Sequence, residues 1–262
     1  MRSVLKYPGA KNKLAEWIIS NMPKHEIYLE PFFGSGVVFF NKPEVKIETI
    51  NDINSDVYNY FKVIRDCPNE LCEALLFTPY SRDEYENSYK HEANETDIEK
   101  ARKFAVRCFM GFGNSNRYKN GFRTSQQSNS PQIPKLWKKI PEELHLASMR
   151  LLNTQIENLD YKKLLQRYNS EEVFIYLDPP YLPNVRTPYL YKNEMDIKDH
   201  EELLDIILKH PSKIMISGYS NPLYENALKN WKKLTKNNQV ESGRIKEEAI
   251  WMNYENEPQL FD

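Results

Sequence analysis

Asp178-Pro179-Pro180-Tyr181 concentrates three kinds of chemistry in four residues: a carboxylate, backbone carbonyls and an aromatic ring. The stretch before it, Val173-Phe174-Ile175-Tyr176-Leu177, is β-branched and aromatic and reads as a buried strand. Two prolines end the pairing, because neither can donate a backbone hydrogen bond. Asp178 is thereby held at the carboxyl end of a strand, where open α/β sheets place their ligands. A carboxylate and a carbonyl that accept, beside a ring that stacks, suit a flat ring bearing an exocyclic NH2. The same residues would also serve as a proline-capped strand end with a surface tyrosine.

A second group lies upstream. Ile27-Tyr28-Leu29 reads as a short strand running into Glu30-Pro31-Phe32-Phe33-Gly34-Ser35-Gly36, after which Val37 to Asn41 looks helical. Strand, glycine turn and helix form the nucleotide-cradling unit of doubly wound folds, in which glycines let backbone N–H groups approach a ligand closely. The third glycine of a dinucleotide fingerprint is missing. Asp52 follows eighteen residues after Gly34, where an acid at the end of a second strand accepts hydrogen bonds from ribose hydroxyls. It could equally cap a helix from Ser55 to Ile64.

The elements that must position these groups follow an α/β rhythm. Leu5 to Lys11 is a turn-rich lead-in, and Lys13 to Asn21 reads as a short helix stopped by Pro23. Strands are expected at 45–50, 154–157 and 213–217, with helices at 161–168 and 199–210. Glu248 to Tyr254 is expected to close the sheet as an antiparallel last strand. Residues 67–147 break the rhythm and read as an inserted, mainly helical subdomain. Within it, Asn116 to Arg123 contains an Asn120-Gly121 pair, a strong hairpin signal. Arginines and an aromatic on such a tip can enter a DNA groove, although an ordinary hydrated hairpin has the same signature.

Net charge is −1, yet the charges are segregated. Seven acids and one base lie between Asp83 and Glu99, followed by ten bases and no acid from Lys100 to Pro141. That run reads as a local phosphate-binding surface. Three cysteines at unremarkable spacing suit a reducing compartment and argue against a disulfide framework. No metal site is expected: His200-Glu201 opens like a metalloprotease helix motif, but Leu204 stands in place of its second histidine. The absence of a long apolar stretch points to a cytoplasmic chain without a signal peptide or membrane span.

In order along the chain, Leu5-Lys6-Tyr7-Pro8-Gly9-Ala10-Lys11, Glu30 to Gly36, Asn51-Asp52-Ile53-Asn54 and Asp178 to Tyr181 resemble the motifs of the Dam-like, alpha-group DNA adenine-N6 methyltransferases. The resemblance implies an α/β, Rossmann-like methyltransferase sheet formed by 1–66 and 148–262. Residues 67–147 would be a target-recognition insertion carrying a β-hairpin. It implies S-adenosylmethionine as cofactor, contacted by Tyr7, Lys11, Glu30, Pro31, Phe32, Gly34, Ser35, Gly36, Asp52 and Asp178. Asp178, Pro179, Pro180 and Tyr181 would grip an adenine swung out of double-stranded DNA. Arg117, Tyr118, Lys119, Asn120, Arg123, Lys135, Lys138 and Lys139 would meet the DNA. Tyr7 stands where some members have tryptophan, and Ala10 replaces a frequent glycine. The hairpin only loosely echoes the segment with which Dam enzymes read GATC, so the target sequence is left open, as is the oligomeric state. Other readings are an RNA or protein-glutamine methyltransferase, the latter favouring Asn-Pro-Pro-Tyr, or a nucleic-acid-binding protein with an inactive methylase core. The chain has no room for a nuclease domain, so a restriction partner would be a separate protein. Pro258-Gln259-Leu260-Phe261-Asp262 resembles a truncated sliding-clamp-binding peptide, or is a frayed terminus.

Overall fold

The computed structural model describes residues 4–90, 92–113, 118–125, 132–182, 191–239 and 245–255. After α1 (Ala15–Ser20), β1 (Ile27–Glu30) and α2 (Val37–Asn41) come β2 (Ile47–Asn51) and α3 (Ser55–Asp66). Five helices follow: α4 (Pro68–Leu76), α5 (Arg82–Asn87), α6 (Asp97–Met110), α7 (Ile133–Trp137) and α8 (Ile140–Leu151). The chain returns to the sheet with β3 (Thr154–Glu157), α9 (Tyr161–Arg167) and β4 (Val173–Leu177). It ends with α10 (Ile197–Ile207), β5 (Lys213–Tyr219), α11 (Pro222–Ala227), β6 (Lys232–Gln239) and β7 (Ile245–Met252).

The strands form one sheet in the order β3-β2-β1-β4-β5-β7-β6. The first five run parallel, and β7 is antiparallel to both neighbours. All five residues of β4 are buried, as expected of a central parallel strand covered on both faces. Strand alternation sends Phe174 and Tyr176 into one buried cluster and Val173, Ile175 and Leu177 into the other. The second cluster is covered by apolar residues of α9, α10 and α11, such as Leu164, Leu203 and Tyr224. The first runs from the sheet through Phe39 of α2 and Phe61 of α3 to Leu71, Phe104 and Leu144 of α4, α6 and α8. The helices between β2 and β3 therefore share a core with the sheet.

Three expectations need correction. The last strand in sequence is antiparallel, as expected, but lies inside the sheet, and β6 forms the edge. The sequence of β6, Lys-Lys-Leu-Thr-Lys-Asn-Asn-Gln, has little apolar alternation because an edge strand needs one partner and can stay wet.

The Asn120-Gly121 pair does not make a two-residue turn. The antiparallel bridge joins Gly111 to Phe122, with Phe112 N donating to Gly121 O and Arg123 N to Met110 O, each at 2.7 Å. Gly121 thus sits on the returning arm. A type I′ turn needs positive φ at both central residues, and among the described glycines that conformation belongs to Gly9, Gly34, Gly36 and Gly113, not to Gly121. The arm is held elsewhere: the Phe122 ring lies 5.2 Å from that of Tyr80 and 5.9 Å from that of Tyr85, whose hydroxyl donates to Asn120 O.

The charge segregation along the chain also does not persist in space. Lys100 pairs with Asp97 at 3.3 Å, and Arg102 with Glu84 at 2.8 Å and Glu99 at 2.7 Å. Lys103 meets Glu95 and Lys119 meets Glu86. Arg107 donates to Ser88 O at 2.6 Å and lies 3.9 Å from Asp56. The acid-rich stretch neutralises much of the base-rich one. Lys135, Lys138 and Lys139 remain exposed.

Candidate active site

The strand order turns back on itself between β1 and β4, which are neighbours although far apart in sequence. At such a switch point the loops leaving the two strands diverge and open a crevice at their carboxyl ends. Glu30 ends β1, Asn51-Asp52 follows from β2, and Asp178 follows β4. Together with residues 7–11 they border an open cleft.

Asp178 is held from both sides. Lys11 Nζ lies 2.9 Å from its Oδ2, and Ser217 Oγ donates to its Oδ1 at 2.7 Å. With the serine hydrogen so committed, Tyr176 OH donates to Ser217 Oγ at 3.1 Å, which closes a buried relay behind the carboxylate. Lys11 also donates to Gly9 O at 3.0 Å and lies 4.7 Å from the centroid of the Tyr181 ring. Burial works against the Lys11 charge, but Asp178 beside it and Glu248 beyond outweigh that and hold its pKa above the usual value. The Tyr181 hydroxyl donates to Glu248 Oε2 at 2.7 Å.

Asp52 is held as a rigid acceptor. Gly34 N donates to Oδ2 and Asn54 N to Oδ1, each at 2.8 Å. Each oxygen keeps a second lone pair for a ligand hydroxyl. Withdrawal from water pushes the Asp52 carboxyl up to about 6, against those two hydrogen bonds. Glu30 is only 2% exposed and accepts from Tyr28 OH at 2.7 Å. Burial is the main reason its carboxyl rises to about 8; the Tyr28 hydrogen bond opposes this and Asp178 adds to it.

The turn between them depends on glycine. Gly36 has φ +66, and a Cβ there would lie 2.3 Å from the Phe33 ring; one on Gly34, at φ +52, would press on the Tyr7 ring. Only glycine lets the chain enter α2 this tightly.

Of the residues expected from sequence, Tyr7, Lys11, Glu30, Phe32, Gly34, Ser35, Asp52, Asp178 and Pro180 border the cleft. Pro31 turns its carbonyl inward to Asn51 Nδ2 at 2.9 Å, Gly36 begins α2, and Pro179 is buried. Tyr181 stands beside the cleft, over Lys11. Ile53 and Asn54, quoted in the Asp52 motif without a role of their own, also border it; Tyr176, Tyr191 and Asn193 border it and were missed, as were Ser217 and Glu248 behind it. Tyr191 and Asn193 carry no motif, and strand residues such as Tyr176 and Ser217 read as core. Arg117 and Pro258–Asp262 lie outside the described residues. Tyr118 is exposed, Arg123 half-exposed, and Asn120 is tied by its carbonyl to Tyr85.

The strand order, the antiparallel β7 and the switch-point cleft fit a Rossmann-like methyltransferase fold. More narrowly, the family model described as D12 class N6 adenine-specific DNA methyltransferase matches residues 7–242, and the chain belongs to that family. It is similar to the type II methyltransferase M1.LlaDCHI of Lactococcus lactis subsp. cremoris, with 27% identity over 88% of this chain and 86% of that protein. The type II methyltransferase M.MjaIII of Methanocaldococcus jannaschii is 28% identical over 84% of this chain and 85% of its own. The DNA adenine methylase of Escherichia coli K12 is 25% identical over 85% and 82%. Among the described residues no helix is long and apolar enough to cross a membrane.

Proposed function

We propose that the switch-point cleft binds S-adenosylmethionine and that Asp178 and Tyr181 hold an adenine, rotated out of double-stranded DNA, against it. The observation that carries this reading is the partly exposed Asp178 carboxylate at the cleft's edge, fixed by Lys11 and Ser217 beside an aromatic ring. The cleft suits an adenosine with a cationic tail. Asp52 offers free lone pairs for ribose hydroxyls, Phe32 and Ile53 offer apolar surface, and Asp178 brings negative charge. When bound, S-adenosylmethionine supplies the methyl carbon from its sulfonium sulfur.

The remaining work belongs to the chain. The N6 lone pair of adenine is delocalised into the ring, so the nitrogen is a poor nucleophile. Asp178 and the Pro179 carbonyl accept its two N–H groups, which favours a more pyramidal nitrogen with its lone pair aimed at the cleft. Tyr181 stacks on the extruded base. Lys11 fixes the Asp178 carboxylate in place, so that alignment is set before the base arrives. Residues 67–147 act as the target-recognition region, with Tyr118 and Arg123 reading sequence and Lys135, Lys138 and Lys139 contacting phosphates. The tail Pro258–Asp262 is proposed as a sliding-clamp peptide on its sequence alone; unchanged clamp binding after deletion of the last four residues would end that idea.

The test is to incubate the chain with S-adenosylmethionine and a mixture of duplex DNA, RNA and protein, and then locate the methyl groups. N6-methyladenine in one duplex sequence context is expected. Methyl groups confined to RNA, to glutamine or to cytosine would overturn the reading.

A further inference from the structure

Glu248 sits on β7, directly opposite Tyr219 of β5 in the strand register, and is only 5% exposed. Its neighbours Ala249, Ile250, Trp251 and Met252 are buried apolar residues. A carboxylate in such a place is costly unless its oxygens are bonded. It meets the phenols of the site: Tyr181 OH donates to Oε2 at 2.7 Å, and Tyr219 stands opposite it on the neighbouring strand. The Tyr219 ring meets that of Tyr181 edge-on, with centroids 4.7 Å apart and planes 72° from parallel. Tyr181 is thus fixed at its backbone by the two prolines, at its edge by Tyr219 and at its tip by Glu248.

We propose that Glu248 is a positioning residue for methyl transfer, holding the Tyr181 ring in the plane on which the target base stacks. This rests on the reading of Tyr181 as the stacking surface. A phenol without an anchor turns about two side-chain bonds, and each base would then have to order the ring as it arrived. The carboxylate removes that freedom in advance, and its negative charge strengthens the hydrogen bond. Glu248 itself touches neither base nor cofactor in this proposal; it acts through Tyr181.

Glu248→Ala, Glu248→Gln, Tyr181→Phe, Tyr181→Ala and the double variant Glu248→Ala/Tyr181→Phe test this in two assays: methyl transfer to duplexes with adenine at the target position, and fluorescence of matching duplexes carrying 2-aminopurine there. Glu248→Ala is expected to lower kcat/KM for DNA about 10- to 100-fold, the effect of losing a hydrogen bond to a charged acceptor. Cofactor affinity stays unchanged, and 2-aminopurine fluorescence rises as the base loses its stack. Tyr181→Phe removes the same bond from the other side and gives the same signature, so that the double variant is no worse than either single one. Glu248→Gln, which keeps an acceptor, recovers most of the activity. Losses that multiply in the double variant, or Glu248 variants with wild-type activity and fluorescence, would overturn the proposal. If Glu248→Ala fails to fold, Tyr181→Phe and Glu248→Gln still decide it, since the proposal requires the first to be impaired and the second to be rescued. Wild-type behaviour of Tyr181→Ala would instead sink the stacking role of Tyr181. Impairment of Tyr181→Ala with unaffected Glu248 variants would sink the Glu248 role alone.

Discussion

Lys11 Nζ and Asp178 Oδ2 lie 2.9 Å apart, with 7% and 20% of the two side chains exposed. This ion pair ties the lead-in before α1 to the end of β4, so the site is closed by the fold of the whole chain. Breaking a buried pair from one side strands the other charge, at a typical cost of about 3–5 kcal/mol. Because Asp178 keeps some contact with water, Lys11→Ala is expected to cost less, about 1–3 kcal/mol of stability. It should also lower methylation, since Asp178 then loses its fixed geometry. Urea denaturation and methyl-transfer rates check both effects; a variant unchanged in both would show that the pair is incidental.

Glu30 is expected to make the stability of the fold depend on pH. Its carboxyl rises from an ordinary 4.5 to about 8, chiefly through burial. Between those values the unfolded chain releases a proton that the folded chain keeps. Stability from this group is therefore complete below about 4.5 and declines as pH rises toward 8. Asp52, raised from 3.8 to about 6, adds a decline in the same sense at lower pH. Wild type is expected to lose melting temperature between pH 5 and pH 8, and Glu30→Gln should flatten that fall. Parallel profiles for the two proteins would contradict this.

Three exposed lysines separate DNA contact from internal pairing. If Lys135, Lys138 and Lys139 each neutralise one phosphate, replacing all three with alanine should reduce the slope of log K against log salt by about 2.7. Lys103, buried against Glu95 and Lys90 O, should behave differently: Lys103→Ala lowers stability and leaves the salt slope unchanged. An unaltered slope in the triple variant would place the phosphate contacts elsewhere.

The legible parts of this chain are those where one residue type does one job. Pro179 and Pro180 can only end a strand, Gly34 and Gly36 suit a turn with positive φ, and β4 is apolar because both its faces are covered. These fixed the parallel sheet and three edges of the cleft. Pairing between distant stretches was not legible. The acids of 83–99 and the bases after them looked like separate surfaces because nothing in the order of residues tells which side chains will meet. Phe122 packs on Tyr80 and Tyr85, a tertiary choice that overrides the local turn preference of Asn120-Gly121. Glu248 read as one more residue of a strand, and its bond to Tyr181 depends on the antiparallel register of β5 and β7.

The most direct test compares wild type with Asp178→Ala in a single-turnover assay on duplex DNA, with cofactor affinity measured in parallel. N6-methyladenine is expected from wild type, with a loss of about 100-fold or more in the variant, typical of removing a group that stabilises the transition state. Cofactor binding should still be measurable, because Asp52 and the glycine turn remain. Wild-type turnover by Asp178→Ala would show that its carboxylate does not hold the target base.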